Sequence, residues 1–176
     1  MSPAPTRPFR RAAALLALAG ATTAAACREL AFEPQDPRTV AYADSLRIDL
    51  AAYQRTPNGV YYRDVAVGSG TVVESTSTVG VIYRGFLASG YVFSPAPTQA
   101  VTFNLAQALP GFQGFRDGLL GARGNSRRLL IVPPSQGFGN RTAGNNKIPA
   151  GSVLLFDVNI SSVTTPPPPA TTRAPR

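Results

Sequence analysis

The chain has 176 residues, 44% of them apolar, and a formal charge of +8. That size and composition suit one domain of about 100–150 residues with extensions, and they argue against wholesale disorder. A single cysteine and no histidine exclude disulfides within the chain, Cys/His zinc sites, and Ser-His or Cys-His nucleophiles.

The first 26 residues read as a secretory signal peptide. "MSPAPTRPFRR" is a basic start and "AAALLALAGATTAAA" (12–26) is an apolar run of small residues, too short to span a bilayer comfortably. Cys27 follows at the cleavage point. Its place resembles the lipobox of bacterial lipoproteins, which implies a lipid-anchored N-terminus, although Ala24 stands where Leu, Val or Ile is usual. Ordinary cleavage after Ala26 would instead leave a free thiol, and Arg10-Arg11 also fits a twin-arginine signal. From residue 27 onward 14 basic residues face 9 acidic ones. This modest surplus reads as a solvated surface, so no nucleic-acid partner is expected.

Residues 27–58 form a linker with an amphipathic segment. Over 36–56, Asp36 suits an N-cap and Pro37 the first helical position. Val40, Ala43, Leu46, Leu50 and Tyr53 recur at helical spacing. The expectation is an extra N-terminal helix, serving as a spacer, docking element or dimer contact.

From residue 59 the pattern changes to short strands. "VYYRDVAV", "TVGVIYRGFLASGYVF" (two strands about an "ASG" turn), "AVTFNL", "RRLLIV" and "GSVLLFDVNI" supply them. Between them "PGFQGFRDGLLGA" (110–122) reads as a short helix, with Phe112, Phe115 and Leu119 in register. The glycine-rich "GFGNRTAGNN" (137–146) reads as a long loop. Four to six strands with one late helix point to an α+β domain over 59–163, an antiparallel sheet packed on a helix. Residues 164–176, rich in proline, read as a disordered or polyproline tail.

From Gly85 to Phe115 the chain has no Asp, Glu, Lys, Arg or His, yet it holds Phe86, Tyr91, Phe93, Phe103, Phe112 and Phe115. Such a centre is either plain core or the seat of a reaction that needs no proton transfer. Nine scattered carboxylates without calcium-loop spacing, and no phosphate-binding glycine fingerprint, lead us to expect neither metal nor cofactor. Arg123, Arg127 and Arg128 read as a solvated strand end, and Asp157 as structural.

The phrases "VIYRGFLASGYVF", "VTFNL", "PGFQGFRDGLLGARGNSRRLLIVPP", a loop with "GFG", and "IPAGSVLLFDVNI" occur in one order and register. Together they resemble the FKBP-type peptidyl-prolyl isomerases across 59–163. The resemblance implies a twisted antiparallel sheet half-wrapped around one short helix, and a pocket that turns X-Pro bonds. Tyr83 and Phe93 match its aromatic walls, and Phe115 its floor, which in many members is Trp. Phe138 falls where members carry a rim tyrosine. Ile148 and Phe156 match apolar wall positions, and Val101 replaces a wall aromatic. Gly111-Phe112 stand where the family has Val-Ile, the second of which bonds the ligand through its backbone N–H. Ser94 replaces an aspartate that usually follows the Phe93 position. For Phe86 and Phe103 plain strand packing is the expectation.

The implied function is peptidyl-prolyl cis-trans isomerisation that assists the folding of exported proteins. Its partners would be proline-containing clients and macrolides of the FK506 type, and its place the periplasmic side of the cell envelope. Two alternatives stand beside it. One is a binding or chaperone module of the same fold with little turnover, suggested by Ser94 and Phe138. The other is a structural envelope lipoprotein, suggested only by the proline-rich tail.

Overall fold

The computed structural model describes residues 33–107 and 111–166. Seven strands form one antiparallel sheet: β1 (Gln54–Arg55), β2 (Tyr61–Ala66), β3 (Thr78–Leu87), β4 (Val92–Ser94), β5 (Val101–Asn104), β6 (Ser126–Val132) and β7 (Leu154–Thr164). Their order is β1-β2-β6-β7-β3-β4, with β5 pairing the first half of β3 and β4 its second half. One short helix, α1 (Gln113–Leu119), packs on the sheet. This is the expected α+β architecture, with one strand more.

β7 shows how the sheet sorts its two faces. Leu154, Phe156, Val158 and Ile160 enter one apolar cluster, whereas Leu155 enters another on the reverse side. Alternate residues of a strand point to opposite faces, so a single run of hydrophobic residues serves two cores. The inner cluster also holds Phe115 and Leu119 of α1, which lie one helical turn apart and are both 0% exposed.

Arg128 fixes the seam between α1 and the sheet. It is 4% exposed, grips both carboxylate oxygens of Asp64 at 2.6 and 2.9 Å, and donates to the carbonyls of Gly118 and Leu120 at 2.9 and 3.0 Å. Its guanidinium also lies 4.6 Å from the centre of the Tyr62 ring. The expectation of a solvated arginine is therefore corrected: the last carbonyls of a helix have no intrahelical donor, and Arg128 supplies one. Asp157 and Arg127 form a bidentate pair at 2.7–2.8 Å on the outer face. That hydrogen-bonded carboxylate holds the Arg127 guanidinium above its ordinary range.

The N-terminal helix is not formed. Over 36–56 the chain makes one turn at Asp36, two single-turn 3-10 segments (Asp44–Leu46 and Leu50–Ala52), and then strand β1. Arg47 interrupts the path in a left-handed conformation (φ 47°). Tyr42 and Ile48 explain the difference. They pack on the outer cluster together with Val40, Leu46, Leu50 and Tyr53, and these positions do not share one helical face. An irregular path places all six on the sheet. The segment is also pinned: Ala43 N–H donates to Ala88 O, Gln35 N–H to Gly151 O, and Val153 N–H to the Gln35 side chain, each at 2.8 Å. It covers the outer face of the sheet as part of the domain.

The C-terminal boundary shifts slightly as well. β7 runs through Thr164, and the Thr165 hydroxyl lies 3.0 Å from that of the buried Ser77. The proposed signal peptide, Cys27 and the rest of the proline-rich tail lie outside the described residues. Among the described residues no helix is long and apolar enough to cross a membrane.

Candidate functional site: an aromatic cup

Phe115 is the base of the site. The helical register of α1 turns it toward the sheet, and the ring is 0% exposed. Tyr83 from β3 meets it edge-on at 5.5 Å between ring centres, Phe156 from β7 at 5.2 Å, and Phe103 from β5 at 5.5 Å. Phe93 from β4 stands at 87° to Phe156, 5.7 Å away. These separations are those of rings in direct edge-to-face or tilted contact. Each wall ring comes from a different strand, so sheet register sets the geometry.

Gly85 makes room for one wall. A Cβ built there would lie 2.5 Å from the Phe93 ring, so only glycine at this place in β3 lets that ring lie across the strand. Its cross-strand partner is Ser94, beside Phe93 at the end of β4.

The rim comes from the loops. Pro133 and Pro134 stop β6 and start a 3-10 turn, Pro134–Gln136, after which Phe138 reaches the Phe112 ring at 5.7 Å. The glycine-rich stretch is a loop, as expected. It closes on itself where Ala143 and Ile148 exchange backbone hydrogen bonds at 3.0 and 3.1 Å. Ile148 is thereby held 4% exposed against the inner cluster.

The charges of the neighbouring strands are turned away. Arg84 stacks over Phe86 on the outer side, and Asp157 is bound by Arg127. Among the described residues no cluster of His, Cys, Asp or Glu is arranged to hold a metal. The rings therefore form an apolar group from which these two neighbouring charges point away.

The structure brings Tyr83, Phe93, Phe112, Phe115, Phe138 and Phe156 into one connected group of rings. Val101 stands apart, 39% exposed on the edge strand opposite Val81. The ring on that side belongs to Phe103, which packs against the inner cluster from its strand, as expected. Strand alternation carried the signal: Phe103 shares a face with Leu105, which is 0% exposed. Phe86 does pack as a strand residue, but in the outer cluster.

Residues 70–161, slightly more than half of the chain, match the family described as FKBP-type peptidyl-prolyl cis-trans isomerase. The chain belongs to that family. A probable FKBP-type peptidyl-prolyl cis-trans isomerase of Haemophilus influenzae is 34% identical over 110 residues, which are 61% of this chain and 44% of that protein. The FKBP-type isomerase FkpA of Escherichia coli is 32% identical over 107 residues, 60% of this chain and 38% of that one. The chain thus spans less than half the length of these relatives. Among solved structures, Escherichia coli FkpA superposes with a TM-score of 0.57 at 27% identity, covering 70% of this chain and 56% of that one. A peptidyl-prolyl isomerase of Pseudomonas syringae superposes at 0.58, with 23% identity and 65% and 82% coverage. The FKBP fold read from the ordered phrases is the fold observed.

Proposed function

We propose that this FKBP domain catalyses cis-trans exchange of X-Pro bonds in polypeptide clients, using the aromatic cup as its active site. The observation that carries the reading is a connected group of rings from which the neighbouring Arg84 and Asp157 are turned away. The amide C–N bond is partly double, which sets a barrier of roughly 18–20 kcal/mol and an uncatalysed exchange time of tens to hundreds of seconds. The planar, charge-separated amide is well hydrated, whereas the twisted transition state has lost resonance and needs that hydration less. A cup that strips water from the bond while its walls hold the prolyl ring favours the twist without an acid, base or nucleophile. Each 1.36 kcal/mol of such preference gives about a tenfold gain in rate.

In this reading Phe115 is the floor under the prolyl ring, and Tyr83, Phe93 and Phe156 are its walls. Phe138 and Ile148 line the rim, and the backbone N–H of Phe112 bonds the substrate carbonyl beyond Gly111. Macrolides of the FK506 type would compete for the same space. The chain would act on exported proteins from the envelope side of a membrane, held there by lipid on Cys27. The basic start, the apolar run of small residues and the position of the sole cysteine support that placement.

A second reading rests on two residues. Ser94 stands where an aspartate is usual, and Phe138 has no hydroxyl to offer a substrate carbonyl. A hydrogen bond to a charged group is worth about 1.5–3 kcal/mol, so both losses favour a module that holds proline segments with little turnover. One assay separates the readings: exchange of a short Leu-Pro peptide by the purified chain, with and without a macrolide. Macrolide-sensitive acceleration is the expected result, and saturable binding without acceleration would establish the holding module instead. Ser94→Asp is expected to raise kcat/KM by about tenfold, the effect of restoring roughly one such hydrogen bond. An unchanged rate in the folded variant would show that Ser94 does not face the reacting amide.

A further inference from the structure

The proposed mechanism leaves the rings of Phe103 and Phe112 without a task, and the more connected of the two is Phe112. It lies 5.9 Å from Phe115 at the floor, 6.1 Å from Phe156 on one wall, 6.4 Å from Phe103 on another, and 5.7 Å from Phe138 at the rim. Among the described residues no other ring links the rim to the floor in this way. At such separations neighbouring rings touch, and no second ring fits between them. The Phe112 side chain thus occupies part of the volume that its neighbours would offer a ligand.

Its attachment suits a movable part. Phe112 is the residue before α1, with φ −120° and ψ 17°, outside the regular helix. Its carbonyl accepts from Arg116 N–H at 3.0 Å, which secures the backbone on the helical side. On the other side stands Gly111 at φ +78°, a conformation that side-chain-bearing residues rarely adopt. The Phe138 ring packs directly on Gly111, where a Cβ would collide with it. The Phe112 side chain is apolar, half-buried and free of any polar tether. Apolar packing holds it in place.

We propose that Phe112 is the resident occupant of the cup: its ring stands where a prolyl ring would sit, and a ligand enters only as that ring swings aside. The inference rests on the cup being the prolyl site. Its consequence is a specificity filter. Every ligand must displace the contacts with Phe103, Phe115 and Phe156, so short or weakly anchored prolines are disfavoured relative to segments with further contacts at the rim. Phe112 then determines affinity through its side chain as well as through any backbone hydrogen bond.

The test compares the full chain with Phe112→Val, which keeps the backbone donor and removes the ring. FK506 and a Leu-Pro peptide are the probes, and thermal unfolding reports the fold. We expect the variant to bind both about tenfold more tightly, the effect of no longer surrendering one or two aromatic contacts before binding. Equal or weaker binding by a folded variant, with the wild type binding, would make Phe112 a fixed wall. That result would overturn the inference and leave the cup as the prolyl site. Binding by neither protein would remove the prolyl site and the inference together. Should the variant fail to fold, NMR on the wild type decides. Proximity signals between the Phe112 ring and Phe115 must be present in the free chain and vanish on saturation with FK506; their persistence would overturn the inference.

Discussion

The two faces of the sheet are built from alternate residues of the same strands, yet they have opposite fates. On the outer face Ile131, Val153 and Leu155 are covered by the chain's own segment at 36–53, which contributes Val40, Leu46, Ile48 and two tyrosines. On the inner face α1 contributes Phe115 and Leu119, and around the buried Phe115 and Phe156 stand Tyr83, Phe93, Phe103, Phe112 and Phe138, which stay half-buried. The difference lies in what is left uncovered. Aliphatic side chains sealed by the same chain make a core, whereas rings held at fixed angles by four strands, a helix and two loops make the aromatic group proposed as the site. The charges next to the rings, Asp157 and Arg84, lie on the outer side, whereas the inner pair Arg128–Asp64 sits at the α1 seam. A reaction governed by desolvation needs the inner arrangement and gains nothing from the outer one.

The largest effect is expected within the cup. Phe156 touches the floor and the walls together. Phe156→Leu keeps most of the buried volume and should lower kcat/KM by roughly a hundredfold, equivalent to losing about two aromatic pair contacts in the transition state. Macrolide affinity should fall in parallel. A folded variant with full activity would mean that the ring is only core.

At the seam the loss should be in stability. Arg128→Met removes the donor to α1 and leaves Asp64 without its partner, for which we expect a destabilisation of about 3 kcal/mol in chemical denaturation. The rate below the transition should stay close to that of the wild type. A loss of rate without a loss of stability would give Arg128 a role beyond holding α1 to the sheet.

On the covered face a change should be smaller still. Leu46→Ala removes half-buried apolar surface worth roughly 1 kcal/mol, with isomerase activity unaltered. Altered activity would show that the two faces are coupled through the sheet.

The smallest effect is at Asp36, where hydrogen bonds from the Arg38 side chain and backbone N–H hold the carboxyl down at about 2. A depressed carboxylate contributes stability that is fully present above its ordinary value of about 3.9 and is lost as pH falls through 2. The group is exposed, so solvent screens the gain. Asp36→Asn should unfold slightly earlier than wild type at neutral pH and indistinguishably from it near pH 2. A gap that widened on acidification would contradict this sign.

Much of the inner face was legible in the sequence because it depends on short-range pattern. Strand alternation, the turn at "ASG", the Phe115/Leu119 pair and the uncharged run from Gly85 to Phe115 are all local. The outer cover was misread because five residues matched a helical stripe, while Tyr42 and Ile48, off that stripe, decide the path. Arg128 was misread because its partner Asp64 is remote in sequence and its carbonyl acceptors exist only once α1 is docked. The ring directions of Phe103 and Phe112 were not legible for a related reason. That an aromatic residue lies near a site can be read from register, but where its ring points is set by the walls around it.

The central claim is that X-Pro exchange occurs here without a titrating group. The most direct test is the catalysed exchange rate of a Leu-Pro peptide, measured from about pH 5 to 9, where a general acid or base would normally reveal its ionisation. We predict acceleration that is flat across this range and abolished by FK506. A bell-shaped or sigmoidal profile, or no acceleration from a folded chain, would contradict it.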